Sequence, residues 1–194
     1  MGEPGNTLDD ATESEDKKVA LIIAILALFL ALSEAGAKKF EHLSTEKNIE
    51  ASDLFNFYQA KKLRSTVAET AAQSLEATSG GVTDEKTHAA IETQIGAWKA
   101  TVAKFENDTK HPEDSLDKIQ ERAKEAGEQR EKANQKLEHF EFASGALQIA
   151  IVLASAAIIT GMRVLAWVAG GLGVIGAILM AFGYLAPTVL GFAG

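Results

Sequence analysis

Two long apolar runs near the C-terminus dominate the pattern of hydrophobic and polar positions. They cover residues 142–162 and 164–186, and one charged residue, Arg163, separates them. A run of about 20 apolar residues is long enough to cross a hydrocarbon core about 30 Å thick, where only a helix satisfies its own backbone. The pattern therefore predicts a hairpin of two transmembrane helices that turns at Gly161, Met162 and Arg163.

A third apolar run lies near the N-terminus. Residues 19–32 are all apolar, and the run extends to Ala37 if Ser33 and Glu34 lie close to a membrane interface. Its length also suits the core of a cleaved signal peptide, which remains the alternative. The acidic segment before it is unlike the short basic start of such peptides. We predict a retained transmembrane helix over residues 17–37.

Charge is concentrated between these runs. Residues 38–141 hold 16 of the 19 basic and 20 of the 27 acidic side chains, whereas residues 142–194 hold one charge. This segregation is typical of a membrane protein with a soluble domain. We predict an all-α integral membrane protein with three transmembrane helices and a long helical, coiled-coil-like stalk over residues 38–141. Residues 1–16 form a predicted disordered acidic tail, and residues 187–194 a C-terminal tail.

Breaks divide the predicted stalk into three helices. Residues 79–81 (Ser-Gly-Gly) end the first, Thr83 is a candidate N-cap for the second, and Pro112 suits the first position of the third. The third helix has the clearest periodicity, with alternating steps of three and four that continue into the hairpin and predict one long helix. The positions of this seam are Leu116, Ile119, Ala123, Ala126, Arg130, Ala133, Leu137, Phe140, Ser144, Leu147, Ile151, Ala154 and Ile158.

Small residues form a stripe in the last predicted span. Ala169, Gly173 and Ala177 recur at every fourth position and favour close helix packing, either within one chain or between subunits. Gln148 is a polar residue inside the preceding span. It indicates a hydrogen bond to a neighbouring helix or, alternatively, the lining of a pore.

One group of side chains could bind a metal ion. Glu41 and His42 follow the first span, and Glu138, His139 and Glu141 precede the second. If the two stems run side by side, these residues can bind a divalent cation or form a proton-sensitive collar. Ordinary charge at a membrane interface is the alternative, since the spacings typical of metal motifs are absent. We predict no catalytic residue, no cofactor and no enzyme activity.

One segment resembles a known family. ASDLFNFYQAKKLRS, residues 51–65, is similar to the signature of an uncharacterised bacterial membrane family, domain of unknown function 4337. A second similarity is a phenylalanine that precedes a span containing LQIAIV, residues 147–152. The resemblance covers nearly the whole chain. It implies a bacterial inner-membrane protein and assigns no catalytic residue.

The signature segment combines aromatic, amide and carboxylate side chains on one helix. Asp53, Phe57, Tyr58 and Gln59 are its most distinctive residues. Buried polar groups demand specific partners, so we predict that these residues hold two helices in register. The alternative is a surface that faces a ligand.

These patterns favour a non-enzymatic structural or interaction protein that self-associates through its small-residue transmembrane faces and its stalk. A channel or transport protein and an accessory subunit of a larger membrane complex are the alternatives. The expected partners are the lipid bilayer and further copies of the chain. Nucleic acid is not expected, because the net charge is −8 and no long basic stripe is free of interleaved carboxylates. Lys17, Lys18 and Arg163 oppose an uncharged C-terminal tail, which favours a cytoplasmic N-tail and a periplasmic stalk.

Overall fold

A computed structural model describes residues 5–108 and 110–185, with side chains from residue 17 onward. Within these residues the protein is all helical and has no strand, as predicted. The elements are helix α1 (Gly5–Ser79), helix α2 (Glu85–Glu106), a 3₁₀ turn (Pro112–Asp114), helix α3 (Leu116–Thr160) and helix α4 (Arg163–Leu185). The tail predicted over residues 187–194 lies outside the described residues.

Three of these helices, α1, α3 and α4, are long and apolar enough to cross a membrane. The most apolar stretch of each is only 11%, 28% and 17% buried within the chain, respectively. Most of its apolar surface therefore needs cover from outside the chain. Helix α1 starts at Gly5, so its backbone extends into the acidic segment for which we predicted disorder.

A two-residue turn joins α3 and α4. The φ angle of Gly161 is +68°, in the left-handed region that glycine adopts without a steric penalty. The Gly161 N–H donates to the Ala157 carbonyl at 2.9 Å, and the Leu165 N–H donates to the Met162 carbonyl at 3.0 Å. The turn lies at the predicted position because glycine can end one helix and reverse the chain at once.

The chain divides into two compact units. Residues 1–44 and 131–194 form the apolar unit, and residues 45–130 form the polar unit. The polar unit is shorter than the predicted stalk, residues 38–141. The Phe40 ring stacks on the Phe140 ring at 5.5 Å, and the Ser44 hydroxyl donates to the Asn134 side chain. Both ends of the predicted stalk therefore belong to the apolar unit, where these contacts connect α1 with α3.

The core of the apolar unit brings α1, α3 and α4 together. Leu26, Leu147 and Ala150 are buried at its centre. Two turns after Leu26 on α1, the Ser33 hydroxyl donates to the Phe140 carbonyl at 2.9 Å, and Ser33 is fully buried. A hydrogen bond between α1 and α3 therefore adds to the apolar contacts.

We expect Ser33→Ala to lower the free energy of unfolding by about 1 kcal/mol, because it leaves the Phe140 carbonyl without its interhelical donor. Ser155→Ala is the matched control, since the Ser155 hydroxyl bonds only to the Ile151 carbonyl of its own helix. Reversible unfolding in mixed micelles measures both variants. Equal effects of the two would contradict a role for Ser33 between helices.

The polar unit is built around small and branched apolar residues. Its most buried hydrophobic side chains are Ala72, Ile95, Leu116, Ile119 and Ala126.

All thirteen positions of the predicted α3 seam are buried or half-buried, which gives that periodicity a structural cause. Pro112 begins the 3₁₀ turn rather than α3, which starts four residues later.

Asp84, and not the predicted Thr83, caps helix α2. Its carboxylate accepts from the Thr87 N–H at 2.9 Å and from the Thr87 hydroxyl at 2.6 Å. A carboxylate at this position also interacts favourably with the positive end of the helix dipole. The hydroxyl and backbone donors of Thr87 lower the pKa of Asp84.

This lowered pKa predicts an acid-sensitive helix start. The Asp84 cap stabilises α2 fully above the ordinary carboxyl pKa, and the contribution disappears as the pH falls through the lowered value. We expect the amide signal of Thr87 to shift over that acidic window in an NMR titration. Asp84→Asn keeps a good cap without a titrating group, so its Thr87 signal should stay constant. An unchanged titration in Asp84→Asn would show that another group is responsible.

Candidate functional site

The signature segment lies on α1 within the polar unit, and most of its distinctive residues face outward. Asp53 and Gln59 are exposed, Phe57 is 47% exposed, and only Tyr58 is half-buried. Among the described residues of one chain these four side chains make no buried polar contact, so their role in holding two helices in register stays a prediction. The inward side of the segment consists instead of Ala51, Leu54, Tyr58, Lys61 and Ser65.

Lys61 is the anchoring residue of this inward side. Its ammonium group donates to the Asp114 carbonyl, which belongs to the 3₁₀ turn. It also lies 5.8 Å from the ring centroids of both Phe57 and Phe105. A cation between two aromatic rings and a carbonyl orients α1 about its axis. This orientation decides which residues of the segment remain outside.

An exposed apolar row runs along the outer side of α1. Ile49, Leu63 and Val67 are 56%, 65% and 60% exposed. The full row has alternating steps of four and three, and all of its members are exposed. We call it the α1 seam, and it consists of Ile49, Asp53, Asn56, Ala60, Leu63 and Val67.

The α1 seam lies away from the side that packs inside the polar unit. Ser65 and Ala72 are almost fully buried and lie about 140–160° around the helix from Ile49 and Val67. This row was not predicted from the sequence, because the aromatic residues of the signature indicated a different face of α1. The spacing of the seam was the signal that could have found it.

An open groove of about 580 Å³ adjoins the α1 seam. Ile49, Asp53 and Phe57 line it from α1, and Arg122 lines it from α3. Glu50 also lines the groove, and a hydrogen bond from Lys47 at 2.7 Å lowers its pKa. Apolar and charged groups thus lie side by side, as they do along the edge of a helix–helix interface.

The candidate metal-binding residues do not come together among the residues that the structure describes. No set of three or more histidine and carboxylate side chains in the described ranges could hold a metal ion. Glu41, His42 and Glu141 are exposed and Glu138 is half-buried, whereas His139 is buried. A Cβ on Gly183 would lie 2.9 Å from the His139 Cβ, so His139 packs against α4. Residues two apart on a helix diverge by about 200°, which separates His139 from Glu141.

Glu41 and Glu141 instead share a polar groove between α1 and α3, with a volume of about 490 Å³. Gln148 lines its far end, and Ser144 and Lys38 also contribute. The lining reaches no deeper along α3 than Gln148. A polar path across an apolar unit would need further polar positions, so this geometry does not favour the alternative of a pore at Gln148.

The small-residue face of α4 is used inside the chain. Ala169 is fully buried, Gly173 is buried, and Ala177 is half-buried. A Cβ on Gly173 would lie 2.4 Å from Leu26 of α1, and one on Gly176 would lie 2.8 Å from Leu147 of α3. Of the two alternatives left by the sequence, the structure shows packing within one chain.

Comparison with known proteins gives a family and no function. Neither a curated protein nor a solved structure matches the chain. A family model described as a domain of unknown function (DUF4337) matches residues 15–186, which include all three apolar helices and the signature segment. The match extends over far more than half of the sequence. The chain therefore belongs to the DUF4337 family.

Proposed function

We propose that this chain is a non-enzymatic protein that spans a bacterial inner membrane three times and self-associates through the α1 seam. The observation that carries the proposal is the exposed apolar row of Ile49, Leu63 and Val67. Steps of three and four on one helix fit a second helix with the same spacing. The resemblance of residues 51–65 to the signature of an uncharacterised bacterial membrane family and the exposed apolar surface of three long helices support the membrane location. Lys17, Lys18 and Arg163 support a cytoplasmic N-tail and a periplasmic polar unit.

A shared membrane determines how two copies meet. Copies with one orientation present their α1 helices in parallel, so each seam position faces the same position of the other copy. Asn56 then faces Asn56, and the two amides can hydrogen-bond to each other across the seam. Asp53 faces Asp53, where like charges oppose association. The seam thus combines attraction with one repulsive position and favours reversible assembly.

Cysteine cross-linking tests this proposal in native membranes. The chain has no cysteine, so each introduced thiol is unique. We expect Leu63→Cys to give a disulfide-linked dimer after mild oxidation, at about twice the 20.6 kDa of one chain. Lys62→Cys is the control, because Lys62 is also exposed but points about 100° away from Leu63. Equal cross-linking of the two variants, or none in either, would overturn the proposed seam.

A further inference from the structure

A second groove in the apolar unit differs from the polar one in its lining. It has a volume of about 580 Å³ and lies between α1 and α4. Ala35 and Gly36 of α1 and Ala177 and Ala181 of α4 line it, and their small size leaves space between the two helices. Its remaining lining is apolar or aromatic except for Lys39. No carboxylate occurs among the described residues that line it.

Aromatic rings close the end of this groove nearest Lys39. The Phe140 ring stacks on the Phe40 ring and meets the Tyr184 ring edge-on at a centroid distance of 6.4 Å. Phe40 is 7% and Phe140 is 2% exposed, so both rings are held by their surroundings. The Phe140 ring, which lines the groove, therefore has little freedom to move.

Two lysine ammonium groups lie close to the Phe40 ring. The Lys39 ammonium group lies 5.8 Å and the Lys136 ammonium group 5.2 Å from the centroid of the Phe40 ring. Lys39 itself lines the groove, and Lys136 lies beside the Phe40 ring that stacks on the lining residue Phe140. The lining of the groove contains no carboxylate among the described residues. A molecule with an acyl chain and an anionic headgroup matches both features.

We propose that this groove binds an anionic phospholipid, with an acyl chain between α1 and α4 and the headgroup phosphate at Lys39 and Lys136. The inference rests on the proposed membrane location and is independent of self-association. A free phosphate would leave the apolar length of the groove unfilled, and a zwitterionic lipid would carry a cation into a site with two lysines. The adjacent Lys38 lines the polar groove together with Glu41 and Glu141. The carboxylates of that groove oppose the binding of an anionic headgroup there.

Native mass spectrometry of the full chain released from detergent micelles tests the site. The probes are phosphatidylglycerol and phosphatidylcholine with identical acyl chains. We expect the wild type to retain phosphatidylglycerol several-fold better than phosphatidylcholine. We expect Lys39→Ala to lower phosphatidylglycerol retention about fivefold, the effect of removing one basic side chain near an anionic headgroup.

Two further variants make the test specific. Lys38→Ala removes the same charge from the adjacent position and should leave the lipid preference unchanged. Ala181→Phe fills the groove from an exposed position and should lower retention of both lipids. Equal retention of the two lipids by the wild type, or equal effects of Lys38→Ala and Lys39→Ala, would overturn the site. The same spectra report subunit number, so failure of the lipid site and failure of self-association are separate results.

Discussion

Gly176→Val is expected to destabilise the apolar unit by about 1–3 kcal/mol, because the site has no room for a side chain. A Cβ at Gly176 would lie 2.8 Å from Leu147 Cγ, 3.1 Å from Leu147 Cδ2 and 3.3 Å from the Ala143 carbonyl oxygen. Leu147 is fully buried and cannot move into solvent. Valine therefore forces α4 away from α3. Unfolding in mixed micelles measures the loss.

Gly171→Val is the matched control for Gly176→Val. Gly171 lies on the same helix, is exposed, and has no atom within 4 Å of where its Cβ would stand. Both substitutions make the same change in helix propensity, so the difference between them isolates the packing effect. Equal stability of the two variants would contradict the packing of α4 against α3 within one chain.

The double substitution Leu63→Glu and Val67→Glu is expected to weaken self-association on the order of 100-fold or more. Burial of one such apolar side chain contributes about 1.5–3 kcal/mol, and a factor of ten in Kd corresponds to about 1.4 kcal/mol. The substituted positions are 65% and 60% exposed, so the fold of one chain does not depend on them. Energy transfer between donor- and acceptor-labelled chains in lipid vesicles, followed by dilution with lipid, measures the change.

Asp53→Asn provides a control of opposite sign. It removes the facing like charges of the α1 seam while keeping a polar side chain of the same size, so we expect tighter association. A complex that is stronger yet still dissociates on dilution with lipid separates an effect at the seam from aggregation of a misfolded chain. Weaker or unchanged energy transfer in Asp53→Asn would contradict a parallel arrangement with Asp53 at the interface.

Much of the fold could be predicted because it depends on local patterns. The lengths of the apolar runs indicated three helices, and Gly161 marked the turn between α3 and α4. The periodicity of α3 predicted its inward side. These features require only the spacing of residues along one helix, which the sequence contains in full.

The interaction surfaces could not be predicted in the same way, because they depend on which helix meets which. The stripe of Ala169, Gly173 and Ala177 is compatible with packing inside a chain or between chains. The close approach of Gly173 to Leu26, like that of Gly176 to Leu147, shows packing inside the chain. His139 and Glu141 are close in sequence yet lie on different sides of α3. The α1 seam has steps of four and three that the sequence contains, but the sequence does not say which side of α1 is buried. The inward position of Lys61 shows that the seam lies on the exposed side.

We propose that the small-residue face of α4 holds one chain together and that the α1 seam joins two chains. The most direct test is the mass of the wild-type particle in nanodiscs formed from native membranes without a detergent step. We expect at least two chains of 20.6 kDa per particle, and one chain per particle for Leu63→Glu with Val67→Glu. A wild-type particle with a single chain, or a multimer that persists unchanged in the double variant, would contradict it.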